Sequence, residues 1–99
     1  MPENPLAALQ RLDPKMMDHL KDMNEFIYCS GVLPKRIKLL IAMAFDAAHG
    51  ADMGVRALAL AAMKEGATKE EIAEALRVGY HLAGVGTLYT ASNGLKDIV

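Results

Sequence analysis

The chain has 99 residues, 53% of them hydrophobic and 23% charged, and eleven basic against twelve acidic residues leave a formal net charge of −1. That length suits one domain spanning residues 1–99, whose compact fold exposes roughly 5,500 Å², and the charge balance gives no electrostatic reason to bind nucleic acid or an anionic membrane. A single cysteine excludes an intrachain disulfide and a two-cysteine redox centre within one chain.

The start MPENPLAALQ shows no basic segment leading into an apolar one, so no signal peptide is expected. Asp46, Asp52, Arg56 and Lys64 interrupt the longest apolar stretches well short of the ~18 uncharged residues a membrane span needs. A cytoplasmic protein is expected. Its apolar surplus finds its simplest outlet in a subunit interface.

Apolar residues recur at spacings of three and four, seldom two, which predicts an all-α bundle of five to six helices. A short helix fits residues 4–12. Asp13-Pro14 is an N-cap with proline at the first helical position, opening a helix over 14–29 with Met16, Leu20, Met23 and Ile27 on one stripe. Pro34 opens the next helix, whose inward face is predicted as Ile37, Leu40, Ile41, Ala44 and Ala48, closed by Gly50. The segment 52–65 is apolar nearly all round, with Asp52, Arg56 and Lys64 its only charges before Glu65. A chain this small hardly surrounds such a helix alone, so it reads as the core helix of an oligomer. Gly66 ends it. Thr68 and Glu71 then form a capping box before the face Ile72, Ala75, Leu76 and Gly79. Gly84 and Gly86 break the chain, and a last helix over 87–98 is expected to be weakened by Asn93-Gly94.

Two segments, LPKRIKLLIAMA at 33–44 and MKEGATKEEIAEAL at 63–76, are joined without a gap, and the second carries a Gly-Ala-Thr turn followed by an acidic capping box. In them the chain resembles the carboxymuconolactone decarboxylase family, which includes the alkylhydroperoxidase D-like proteins. The resemblance leaves the N-terminal third unassigned. It implies a helical bundle assembling as homodimers, homotrimers or hexamers, with active-site clefts lined by helices. The family's redox members carry Cys-x-x-Cys-x-x-x-His at the start of the third main helix and a glutamate on the helix before it. A helix N-terminus lowers a thiol's pKa, the histidine and glutamate relay its proton, and the second thiol resolves the oxidised first. The corresponding positions here are Ala51, Gly54, Leu58 and Leu39, all chemically inert. The decarboxylating branch uses histidines and polar groups in this stretch, where Met53, Gly54, Val55 and Leu58 offer none. The resemblance therefore carries the fold and not the chemistry, and restoring Cys at 51 and 54, His at 58 and Glu at 39 should bring the motif together.

The remaining chemistry-bearing residues have competing readings. Cys29, without a partner or neighbouring base, is expected to be a buried structural thiol. His49 lies three residues after Asp46 and could form a metal-ligand pair, but a lone pair is weak and a hydrogen bond to Asp46 at the helix C-terminus is expected. His81, in an apolar glycine-bearing segment, is either satisfied in the core or a general base facing a cleft. His19 reads as solvated. The Gly84-x-Gly86 pair lacks the strand and third glycine of a dinucleotide site. Met16, Met17, Met23, Met43, Met53 and Met63 read as core filler, so no metal or cofactor is expected. Lys35, Arg36 and Lys38 read as a solvated helix entrance.

Two functions stand against each other. One is a family member that has lost the dithiol site and serves as a ligand-binding or structural homo-oligomer, a trimer or hexamer by resemblance. The other is a non-thiol enzyme acting on a small organic acid or lactone in a subunit-interface cleft, with His81 and His49 as acid–base candidates and Tyr80 or Tyr89 as donor.

Overall fold

The computed structural model describes residues 4–99, so the first three residues of the MPENPLAALQ start lie outside the described residues. Those described are 76% helical, without a strand, in six helices: α1 (Ala7–Leu12), α2 (Pro14–Tyr28), α3 (Lys35–Ala48), α4 (Asp52–Lys64), α5 (Lys69–Ala83) and α6 (Gly86–Leu95). No helix among them is long and apolar enough to cross a membrane.

The local signals act as their chemistry requires. The Asp13 side chain accepts from the Met16 amide at 3.1 Å, with Pro14 at the first helical position. Thr68 and Glu71 each accept from the other's backbone amide, at 3.1 and 2.9 Å, completing the capping box of α5. Gly50 and Gly66, at φ of 80° and 97°, reverse the chain after α3 and α4 in a conformation that side-chain-bearing residues resist.

The core belongs to the last four helices. Met43 of α3, Val55, Ala59 and Ala62 of α4, Ile72 of α5, and Ala91 and Leu95 of α6 are buried together. Small residues on α4 let its neighbours approach closely. At Gly94, an added Cβ would stand 2.5 Å from the Asp52 carbonyl oxygen and 3.1 Å from Val55 Cβ, so α6 packs directly onto the start of α4. Asn93 also donates to the Asp52 carboxylate, and Arg56 ion-pairs with Asp97. Asn93-Gly94 is thus a packing seam inside α6, not the weak point expected from its composition.

Two further expectations need correction. The buried face of α3 is Leu39, Leu40, Met43 and Ala47, rotated from the predicted face. Ile41 is 45% exposed because the flank carrying Ile37, Ile41 and Ala44 meets open space beside α5. Of the six methionines read as core filler, only Met43 is fully buried. Met16, Met23 and Met53 are exposed, since α2 packs on little and Met53 lies on the outer side of α4. The α4 helix is buried on one face only, and Leu60 and Met53 look outward.

Helices α1 and α2 form a hairpin that buries no residue. Tyr28 at the end of α2 packs against the core, and the rest of the hairpin's attachment is polar. The Lys38 ammonium donates to the carbonyls of Ile27 (3.0 Å) and Cys29 (2.8 Å) at the end of α2, and Lys35 N donates to Ser30 Oγ. Arg36 ion-pairs with Glu71 at 3.3 Å. The expected solvated entrance of α3 is therefore a set of ties to its neighbours. The chain exposes 6947 Å², against roughly 5,500 Å² for a compact fold of its mass.

Candidate functional site

The N-cap residue of α4 offers no side-chain cap; the Met53 amide donates to the Asp52 carboxylate at 2.9 Å, and the helix dipole presents positive charge at this end. Asp46, in the last turn of α3, lies beside that end. Its backbone carbonyl accepts from Ala51 N at 2.9 Å, and its carboxylate lies against Gly54, in space that a Cβ at Gly54 would take. Tyr28, at the end of α2, senses the same carboxylate. Its hydroxyl pKa is raised from 10.0, first by burial and then by the negative charge of Asp46. Both influences favour the neutral phenol.

Sequence reasoning paired Asp46 with His49 and missed both Tyr28 and Gly54. A glycine inside a helix costs up to ~1 kcal/mol and marks either flexibility or a close approach. That was the available signal. His49 instead places Nδ1 2.8 Å from the Phe45 carbonyl and stacks on the Phe45 ring at 6.4 Å between centroids. It is exposed, and among the described residues no three His, Cys, Asp or Glu side chains gather to hold a metal ion. His81 is exposed near the end of α5, neither satisfied in the core nor lining the groove described next. Cys29 is exposed, not buried, because α2 ends outside the core, and its thiol contacts the Phe26 carbonyl at 3.1 Å.

An open groove of about 510 Å³ lies between α3 and α5. Ile41, Phe45, Val78 and Leu82 form its walls and Ala44 and Gly79 its floor. Its only charged lining residues are Glu71 and Glu74. Such a surface recognises apolar shape and offers almost no polar group to orient a reacting molecule.

The profile of the carboxymuconolactone decarboxylase family matches residues 14–97. The chain belongs to this family. The match begins at the first residue of α2, so it takes in most of the N-terminal third that the sequence motifs left unassigned. No curated protein and no solved structure matches the chain significantly. Within the carboxymuconolactone decarboxylase fold, the four positions that resemblance assigned to the redox motif now have surroundings. Leu39 is 3% exposed in the core, and Leu58 packs against the same core. Ala51 precedes α4, and Gly54 lies under the Asp46 carboxylate. Restoring the motif as first conceived would therefore bury a glutamate at 39 and force a thiol at 54 into Asp46.

Proposed function

We propose that this protein is a cytoplasmic structural homo-oligomer of the carboxymuconolactone decarboxylase family that does not perform dithiol peroxide chemistry. The observation carrying this reading is the Asp46 carboxylate seated on Gly54. Peroxide reduction by the family's route needs a thiolate to attack the peroxide and a second thiol to close a disulfide. A carboxylate can do neither, and it takes the space one thiol would need. Support for assembly comes from the surface: roughly 1,400 Å² beyond the compact expectation, with Met53, Leu60 and the apolar side of α2 facing outward. A trimer or hexamer follows the family resemblance.

Two measurements test this. Multi-angle light scattering at micromolar concentration should show a multiple of the 10.7 kDa chain, and Leu60→Glu should reduce it by placing an unpaired charge in the contact. Peroxide consumption with a dithiol reductant should not exceed that of the Cys29→Ser variant. A stable monomer refutes the assembly, and sustained turnover dependent on Cys29 refutes the chemistry.

The alternative is a non-thiol enzyme acting on a small organic acid or lactone at a subunit-interface cleft. The half-buried Tyr28, which senses the Asp46 charge, favours it, since a phenol and a carboxylate are both usable acid–base groups. His49 and His81, both exposed, would then reach into a neighbouring subunit's cleft as additional acid–base groups. Turnover of a lactone lost in both Tyr28→Phe and Asp46→Asn would favour this reading over the first.

A further inference from the structure

We infer that Asn93-Gly94 is a latent deamidation site, held unreactive by the seam between α4 and α6 and converted, once that seam opens, into a form that closes it poorly. This does not depend on how the chain assembles.

The chemistry is intramolecular. The backbone nitrogen of Gly94, giving up its proton to solvent, attacks Asn93 Cγ. The Cγ–Nδ2 bond breaks and ammonia leaves, closing a five-membered imide. Water then opens the ring. Attack at the side-chain carbonyl leaves aspartate at position 93, and attack at the main-chain carbonyl leaves isoaspartate, with an extra methylene in the backbone. Water is the only co-reactant. Of the three asparagines, Asn4 precedes Pro5, which has no N–H, and Asn24 precedes Glu25, whose side chain screens the nitrogen. Only Asn93 precedes a glycine, whose nitrogen no side chain shields and whose backbone turns freely.

Three features of the fold suppress the reaction although Asn93 itself is exposed to water. Ring closure brings the Gly94 nitrogen close to the plane of the Asn93 carbonyl carbon, Cα and Cβ, whereas a helical ψ of about −42° turns it well aside. Gly94 is buried in the last turn of α6, where the helix engages its amide with the carbonyl four residues back. Asn93 Nδ2 donates to the Asp52 carboxylate, which fixes the carboxamide toward α4. Rotation of the peptide is opposed as well, because α6 lies so close to α4 here that a Cβ on Gly94 would meet the Asp52 carbonyl oxygen. All of these restraints go together when α6 leaves α4.

The products do not restore the seam. Either one puts a carboxylate where Asn93 donated, facing the carboxylate of Asp52. The concavity around them holds Arg56, already paired with Asp97, and Lys96, so one lysine would face two carboxylates. Isoaspartate also lengthens the backbone next to Gly94, where the Asp52 carbonyl and Val55 leave no room for even a Cβ. Deamidation therefore makes a reversible opening permanent.

The test incubates the full-length protein, folded and in concentrated urea, at one pH and temperature. Tandem mass spectrometry follows the exchange of NH2 for OH at position 93. The folded chain should convert at least about tenfold more slowly than the unfolded one. Leu95→Ala removes a buried contact of α6 but keeps the Asn-Gly pair, and should convert faster than the wild type while circular dichroism shows it folded. If it does not fold, Ile98→Ala, at a partly buried position against the same core, takes its place. Asn93→Asp should unfold at lower urea than the wild type, and adding Asp52→Asn, which exchanges donor and acceptor across the seam, should recover most of the loss. Equal conversion in the folded and unfolded chains overturns the inference. So does a folded α6 variant that converts no faster than the wild type, since the protection then lies elsewhere. An Asn93→Asp protein as stable as the wild type, or one that Asp52→Asn does not rescue, overturns the permanence of the change.

Discussion

Gly54→Ala offers a quantitative check on the contact between Asp46 and the start of α4. The added methyl falls where the Asp46 carboxylate lies, and Asp46 is only half-buried, so its side chain must turn away toward water. Three contributions compete. Alanine in place of glycine within a helix returns up to ~1 kcal/mol. Removing an anion from a helix N-terminus forfeits ~0.3–1 kcal/mol, and forcing an added methyl into a packed site costs ~1–3 kcal/mol. The unfavourable contributions win, and the net loss should be about 1–2 kcal/mol. In an Asp46→Ala background the obstruction and the anion are already gone. The same substitution should then stabilise by about 0.5–1 kcal/mol through helix preference alone. The sign reverses. Urea unfolding of the wild type, both single variants and the double variant, at one fixed protein concentration, measures the four free energies. The expected coupling is about 2 kcal/mol. If the two substitutions instead add within ~0.5 kcal/mol, the carboxylate does not lie over Gly54 and the account of the site collapses.

Gly94→Ala should lose about 1–3 kcal/mol despite its better helix preference, because the new Cβ meets the Asp52 carbonyl oxygen at 2.5 Å and neither backbone can yield cheaply; a thermal melt no lower than wild type would contradict the seam between α4 and α6. Thr68→Ala should cost about 1 kcal/mol in chemical unfolding by freeing the Glu71 amide, and Thr68→Ser should restore most of it. For Tyr28, the folded pKa lies above 10.0, so on raising the pH the unfolded chain releases its proton first. Its contribution to stability is therefore flat below the ordinary tyrosine value and falls above it. Asp46→Asn should shift the tyrosinate absorbance transition of Tyr28 downward while leaving it above the ordinary value, since burial is the larger cause. An unmoved transition would separate the two groups.

The helices were legible because their ends carry strong local chemistry: Asp13-Pro14, the Thr68–Glu71 box, and glycines at 50 and 66 that the turns require. Which side of a helix faces inward was less so. The predicted inward face of α3, with Ile37, Leu40, Ile41, Ala44 and Ala48, and the buried one, with Leu39, Leu40, Met43 and Ala47, are equally apolar. The sequence around them cannot distinguish a core from a groove, which wants the same residues. The methionines failed for a related reason, since apolar character predicts burial against something without saying in which chain. At the site, the absence of thiols at 51 and 54 could be counted along the chain. The arrival of Asp46 over Gly54 could not, because it depends on how α3 passes the start of α4. The pairing of Lys38 with two carbonyls eleven and nine residues back was equally hidden, as a basic residue near a helix start ordinarily faces water.

That every core residue comes from α3 to α6 also bears on how the chain matures during synthesis. Translation delivers α1 and α2 first, before the core against which Tyr28 packs has been made. The core cannot close until Ala91 and Leu95 have been added, because both are buried within it. At ~5–20 residues per second, the leading hairpin leaves the ribosome several seconds before the body it is tied to can fold. Through that interval Leu9, Leu12, Met16, Met23 and Phe26 remain open to water, a helical apolar strip on an otherwise unstructured nascent chain. The vulnerable stage of this protein's life is the span between the emergence of α2 and the docking of α6, when capture by a chaperone or by another nascent copy competes with folding.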